Sequence, residues 1–130
     1  MPNTSKMTPE ILYERLLEFA KRCQQFVNKL PKRIYNIEYS SQLIRSSSSP
    51  GANYIEAIEA ISFKDFIHRL RICRKESRES THWLTLVMNA NPDSIGVQNE
   101  GNELIKEAME FVRIFSSSIT TSERNQAIKK

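Results

Sequence analysis

Residues 8–31 read TPEILYERLLEFAKRCQQFVNKLP, and their spacing decides the fold class. Leu12, Leu16, Phe19, Cys23, Phe26 and Leu30 alternate steps of four and three. That interval returns a side chain to one face of an α-helix. Thr8 stands where a helix start needs a hydroxyl to accept an unpaired first-turn amide. Pro9 suits the first helical position, and Glu10 suits the positive end of the helix dipole. Pro31 stops the pattern. A helix over about residues 8 to 29 with one apolar stripe must bury that stripe against other elements.

The rest of the chain supplies those elements. From Ile34 to Arg45 a second helical segment runs into a serine run, Ser46 to Ser49, and then into Pro50-Gly51. Ala52 to Ala60 resumes the pattern through Tyr54, Ile55 and Ile58. A proline inside a helix removes an amide and crowds the preceding turn, so this element, about residues 33 to 60, is expected to kink or break near Pro50. Ser62-Phe63-Lys64-Asp65 sets a hydroxyl three residues ahead of an acid, a variant of the capping box. It opens a third helix that meets neither Gly nor Pro before about Ala90. Asn91-Pro92-Asp93-Ser94 and Gly96 mark a loop. A fourth helix, about 98 to 120, repeats the heptad through Leu104, Ala108, Phe111 and Phe115, with Glu100 and Glu103 near its start. Residues 1–7 read as a disordered N-terminus, 8–120 as the domain and 121–130 as a polar, frayed tail. The chain is thus expected to be all-α: an antiparallel up-and-down four-helix bundle with helix two bent near Pro50.

Composition agrees. A chain of 130 residues has room for one domain, and 39% apolar content makes its core thin. Three glycines and five prolines cannot furnish the tight turns of a sandwich or barrel. Cys23 and Cys73 fall on apolar helical positions and are expected to be reduced core residues of a cytoplasmic protein. No N-terminal apolar segment resembles a secretion signal, and no apolar run approaches the roughly 18 residues of a membrane span.

Helix three carries the functional signal. Phe63, Phe66, Ile67, Leu70, Cys73, Ser77, Leu84 and Met88 share the arc that faces a core. A second set, Lys64, Arg71, Lys75, Arg78 and His82, lies on another side. Between residues 64 and 78 six Lys/Arg stand against two acids, an excess of four that equals the net charge of the chain, +4. Such a stripe can follow phosphates and release counterions. The competing account is a solvated surface face. A third arc holds Ile72, Trp83 and Leu86, and a lone tryptophan on a flank implies either a wider core or a neighbouring subunit, of which the neighbour is favoured.

Signs of catalysis are absent from the sequence. His68 and His82 are about four turns apart, too far for one metal. Glu56 and Glu59 share a face, yet no Glu-x-x-His accompanies them. The serine run has neither a nucleophile elbow nor a partnered base, and its expected role is a hydroxyl-rich packing seam. No metal, cofactor or enzymatic activity is expected.

The ordered string Ser41-Gln42-Leu43-Ile44-Arg45-Ser46, Gly51-Ala52-Asn53-Tyr54, Glu56-Ala57, Ser62, Lys64-Asp65-Phe66-Ile67-His68-Arg69-Leu70-Arg71-Ile72, Lys75-Glu76, Glu79 and Trp83-Leu84 closely resembles the four helix bundle protein family. This is also called the 23S rRNA-intervening-sequence protein family. The resemblance covers about residues 10 to 120. It implies a left-handed bundle that assembles as a ring-like homopentamer and has no enzymatic activity. Related proteins are accessory factors of diversity-generating retroelements, where a basic pentameric barrel binds nucleic acid and the reverse transcriptase. Two departures stand out: Pro50 where relatives usually carry Ile or Val, and Ile55 where many carry a charge. The expected function is therefore an oligomeric accessory protein that binds RNA or DNA through phosphates and partners a reverse transcriptase. Arg45, Lys64, Arg71, Lys75 and Arg78 are the expected phosphate contacts, and Ile72, Trp83 and Leu86 the expected oligomer interface. The runner-up is a structural or protein-interaction scaffold that binds no nucleic acid.

Overall fold

The computed structural model describes residues 7–129. Four helices account for nearly all of them: α1 (Pro9–Asn28), α2 (Ile34–Ile58), α3 (Phe63–Ala90) and α4 (Ile95–Lys129). The two hydroxyl caps act as expected. Thr8 Oγ1 accepts from the Ile11 amide at 3.1 Å, and Ser62 Oγ accepts from the Asp65 amide at 3.1 Å.

α1 and α3 each pack against α2 and α4, and across one diagonal Tyr54 of α2 reaches Phe115 of α4, ring centroids 6.0 Å apart. With short connections this is a square, antiparallel, up-and-down bundle. Its centre is built from Leu16, Phe19 and Cys23 of α1, Leu70, Leu84 and Val87 of α3, and Leu104, Phe111 and Phe115 of α4. Phe19 meets Phe111 edge to face with ring centroids 5.5 Å apart. Helix α2 gives few apolar groups to this core; Leu43 and Ala57 are the buried aliphatic ones. Its inner face is otherwise small and hydroxylic. Ser80 Oγ donates to the Glu76 carbonyl at 3.0 Å and lies within hydrogen-bond distance, 3.1 Å, of Ser46 Oγ. The serine run is therefore a packing seam that lets α2 and α3 approach closely.

Pro50 does not break α2, which runs through it from Ile34 to Ile58. The proline is buried, and its carbonyl accepts from the Cys73 thiol at 3.3 Å. Upstream, the Ser46, Ser47 and Ser48 hydroxyls bond the Leu43 and Ile44 carbonyls. Tertiary burial holds the helix together across a residue that local propensity would use to end it.

The larger difference lies in α4. It begins at Ile95, before the expected 98, because Ser94 Oγ accepts from the Val97 amide at 3.2 Å. It continues to Lys129 instead of ending near 120, so residues 121–129 of the expected frayed tail are helical. Ile119 is buried, and Glu123 reaches Arg71 of α3 at 2.8 Å, so the added turns have something to pack on. The expected disorder of residues 1–7 lies outside the described residues except at Met7, which is exposed. No described helix is long and apolar enough to cross a membrane.

Candidate nucleic-acid interface

Helix geometry spreads Lys64 to Arg78 over about 21 Å of α3. Lys64, Arg71, Lys75 and Arg78 are all exposed on its outer side, opposite the buried Leu70, Cys73, Ser77 and Leu84. Lys64, Lys75 and Arg78 have no ion-pair partner among the described residues. Arg71 is shared with Glu123 of α4. The remaining arginines of the segment are tied down. Arg69 donates to Asn53 Oδ1 at 3.0 Å, with Glu56 and Asp65 each at 3.9 Å, and Arg74 reaches Ser116 Oγ at 3.4 Å. They join α3 to α2 and α4 instead of extending the stripe.

Arg45 does not stand with that stripe. From α2 it crosses the seam to Glu76 at 3.0 Å and also donates to Glu79. Glu76 is only 7% exposed, so this guanidinium neutralises a carboxylate that the bundle has largely removed from water. Glu79 in turn accepts from Trp83 Nε1 at 3.1 Å. Residues 31 and 34 positions away supply the partners, and grouping arginines by sign along the sequence missed them.

The Trp83 flank is also occupied within the chain. Its ring packs against Tyr39, centroids 6.2 Å apart, and His82 stands edge-on to it at 4.7 Å. Ile72 and Leu86, on the same side of α3, are half-buried. Exposed large apolar side chains occur along α2, at Ile34, Ile37, Ile44, Ile55 and Ile58, and also at Ile11, Ile61, Ile95 and Ile128. In α2 a second heptad carries this signal in the sequence, where the first, core-facing pattern draws the eye.

Among the described residues no three His, Cys, Asp or Glu side chains cluster as metal ligands. Burial pushes the Cys23 and Cys73 thiols up to about 12, so neither is a thiolate nucleophile near neutral pH. An open groove of about 640 Å³ near the start of α1 is floored by Leu12, Tyr54, Phe66 and Ile114 and edged by Glu110, Arg113, Ser117 and Ser118, with Glu110 and Arg113 paired at 2.7 Å.

A basic outer stripe on the third helix of a square bundle, with a Gln42–Arg45–Glu76–Glu79 network beside it, can now be set against known proteins. The family model described as 23S rRNA-intervening sequence protein matches residues 10–117. The chain belongs to this family. A crystal structure of a protein of unknown function from the S23 ribosomal protein family of Bacteroides thetaiotaomicron is similar, with a TM-score of 0.76 and 29% identity. The similarity covers 88% of this chain and 99% of that one. None of the curated proteins matches. Membership in the family accounts for the four-helix frame, and the charge pattern on α3 is what remains to be explained functionally.

Proposed function

We propose that this protein is a non-enzymatic, homo-oligomeric accessory protein that binds nucleic acid through its phosphates, in partnership with a reverse transcriptase. The observation that carries the reading is the line of Lys64, Lys75 and Arg78, three exposed cations on one face of α3 with no ion-pair partner among the described residues, joined by Arg71. No aromatic side chain interleaves them, so the chemistry favours backbone contacts over base stacking. Several copies of one weak stripe would add through multivalency. Arg45 is not part of this proposal, since Glu76 and Glu79 hold it.

The test is fluorescence anisotropy with unrelated single-stranded RNA and DNA oligonucleotides over a salt series. Replacing Lys64, Lys75 and Arg78 together by Gln should weaken all sequences alike. The log-log salt slope should fall by about 2, at roughly 0.7 for each lost contact to a single strand. Absence of binding at low salt, or an unchanged slope in the triple variant, would support the scaffold reading instead.

A further inference from the structure

Residues 19–37, which cover the second half of α1, the connection and the start of α2, hold five Lys/Arg and no Asp or Glu. That excess is larger than the four between residues 64 and 78 of α3. Arg22 pairs with Glu100 at 3.2 Å. Lys29, Lys32 and Arg33 are exposed and have no ion-pair partner among the described residues. Like charges this close in the chain repel one another. Nor do they serve the helix that they introduce. Arg33 makes no capping hydrogen bond and the first turn of α2 holds no acid, so these cations stand at the positive end of a helix dipole. Local stability does not account for them, whereas a polyanion bound from outside would.

Their position continues the stripe of α3. The paired Asn36 and Asn91 fix the start of α2 beside the end of α3. From Arg78 to Asn91 the helix rises by about 20 Å. Between Glu79, which Arg45 holds, and Asp93 the chain has no acid, and the exposed side chains of α3 there are His82, Thr85 and Asn89. A strand lying on Lys64 to Arg78 thus has a path free of α3 carboxylates towards Lys32 and Arg33. Tyr35 adds what the stripe lacks. It is 40% exposed and precedes by four residues Tyr39, which packs on Trp83 of α3, so it lies on the flank of α2 that turns towards α3. Aromatic faces beside cations are how single strands are held with little regard to sequence.

We infer that the α1–α2 connection is a second contact for a single strand of nucleic acid, in which Lys29, Lys32 and Arg33 hold phosphates and Tyr35 stacks a base. The inference rests on the nucleic-acid reading of α3 and extends it: one strand lies along α3 and continues over the end of the bundle. Oligonucleotides of about 4 and about 16 nucleotides test it by fluorescence anisotropy. The unaltered chain should bind the longer strand more tightly. Replacing Lys29, Lys32 and Arg33 together by Gln should remove most of that gain and lower the log-log salt slope on the longer strand by about 2. Tyr35→Ala should weaken the longer strand about fivefold or more with the slope unchanged. All four side chains are exposed, so helix content by circular dichroism should stay the same. A connection variant that gains with length as the unaltered chain does overturns this inference and leaves the α3 reading standing, and a silent Tyr35→Ala overturns the stacking contact. Loss of binding in the connection variant alone, with none in the Lys64, Lys75 and Arg78 variant, overturns the α3 reading instead. An unaltered chain that binds neither strand at low salt overturns both.

Discussion

Asn36 and Asn91 exchange side-chain hydrogen bonds across one end of the bundle: Asn36 Nδ2 donates to Asn91 Oδ1 at 3.2 Å, and Asn91 Nδ2 donates back to Asn36 Oδ1 at 2.9 Å. Asn36 also donates to the Pro31 carbonyl, and Asn91 to the Val87 carbonyl. The pair thereby clasps the α1–α2 connection to the end of α3. Asn36 is 1% exposed, so water cannot replace what it loses. Asn36→Ala should cost about 2–3 kcal/mol in urea unfolding, since partners are left unsatisfied out of water. A cost below about 0.5 kcal/mol would mean that the clasp contributes nothing net.

Arg45 should be a stability residue. Removing it leaves the buried Glu76 carboxylate without its cation, and half exposure of the Arg45 side chain tempers the penalty. Arg45→Ala is expected to cost about 2 kcal/mol, and adding Glu76→Gln to recover part of it, because the stranded charge is then gone. Equal costs for the single and double variants would contradict this account.

Stability should fall in alkali for a reason located at two thiols. Unfolded cysteines ionise near 9.0, whereas burial holds Cys23 and Cys73 at about 12 in the fold. Below the unfolded value both states keep their protons and no dependence arises. Between the two values the unfolded chain has released protons that the fold retains, so stability drops by up to about 1.4 kcal/mol per pH unit for each thiol. Burial of Tyr54 acts in the same direction. Urea midpoints at pH 7 and pH 10 measure the fall, and a Cys23→Ala, Cys73→Ala variant should show a shallower one. Both thiols should resist alkylation in the native protein and react once urea unfolds it.

Glu123 should compete with nucleic acid for Arg71. The carboxylate sits 2.8 Å from the guanidinium, and both side chains are about half exposed. Glu123→Gln removes the competitor and keeps the helix, so affinity at low salt should rise, with a salt slope steeper by up to about one unit. No change in either quantity would place Arg71 outside the phosphate contacts.

Local chemistry explains which parts of this protein are legible in its sequence. Thr8 and Ser62 cap helices through partners three residues away, and Leu12 to Leu30 or Leu104 to Phe115 declare a face by spacing alone. Such signals depend on short stretches of backbone, so four helices and most of the core follow from reading them. The exposed Lys64, Lys75 and Arg78 belong to the same class, because one helix places them on its outer side.

What only the tertiary structure decided involves partners distant in the chain. Pro50 stays inside a helix because neighbouring elements bury it, and residues 121–129 stay helical because α4 has α3 to lie on as far as Arg71 and Glu123. Arg45 is held by Glu76 and Glu79, which arrive from another helix, and Trp83 finds Tyr39 across the same seam. Sign and hydropathy along a sequence say what a side chain can do. Which group stands opposite it, and so whether its charge or apolar surface is spent inside the fold or left at the surface, is set by packing.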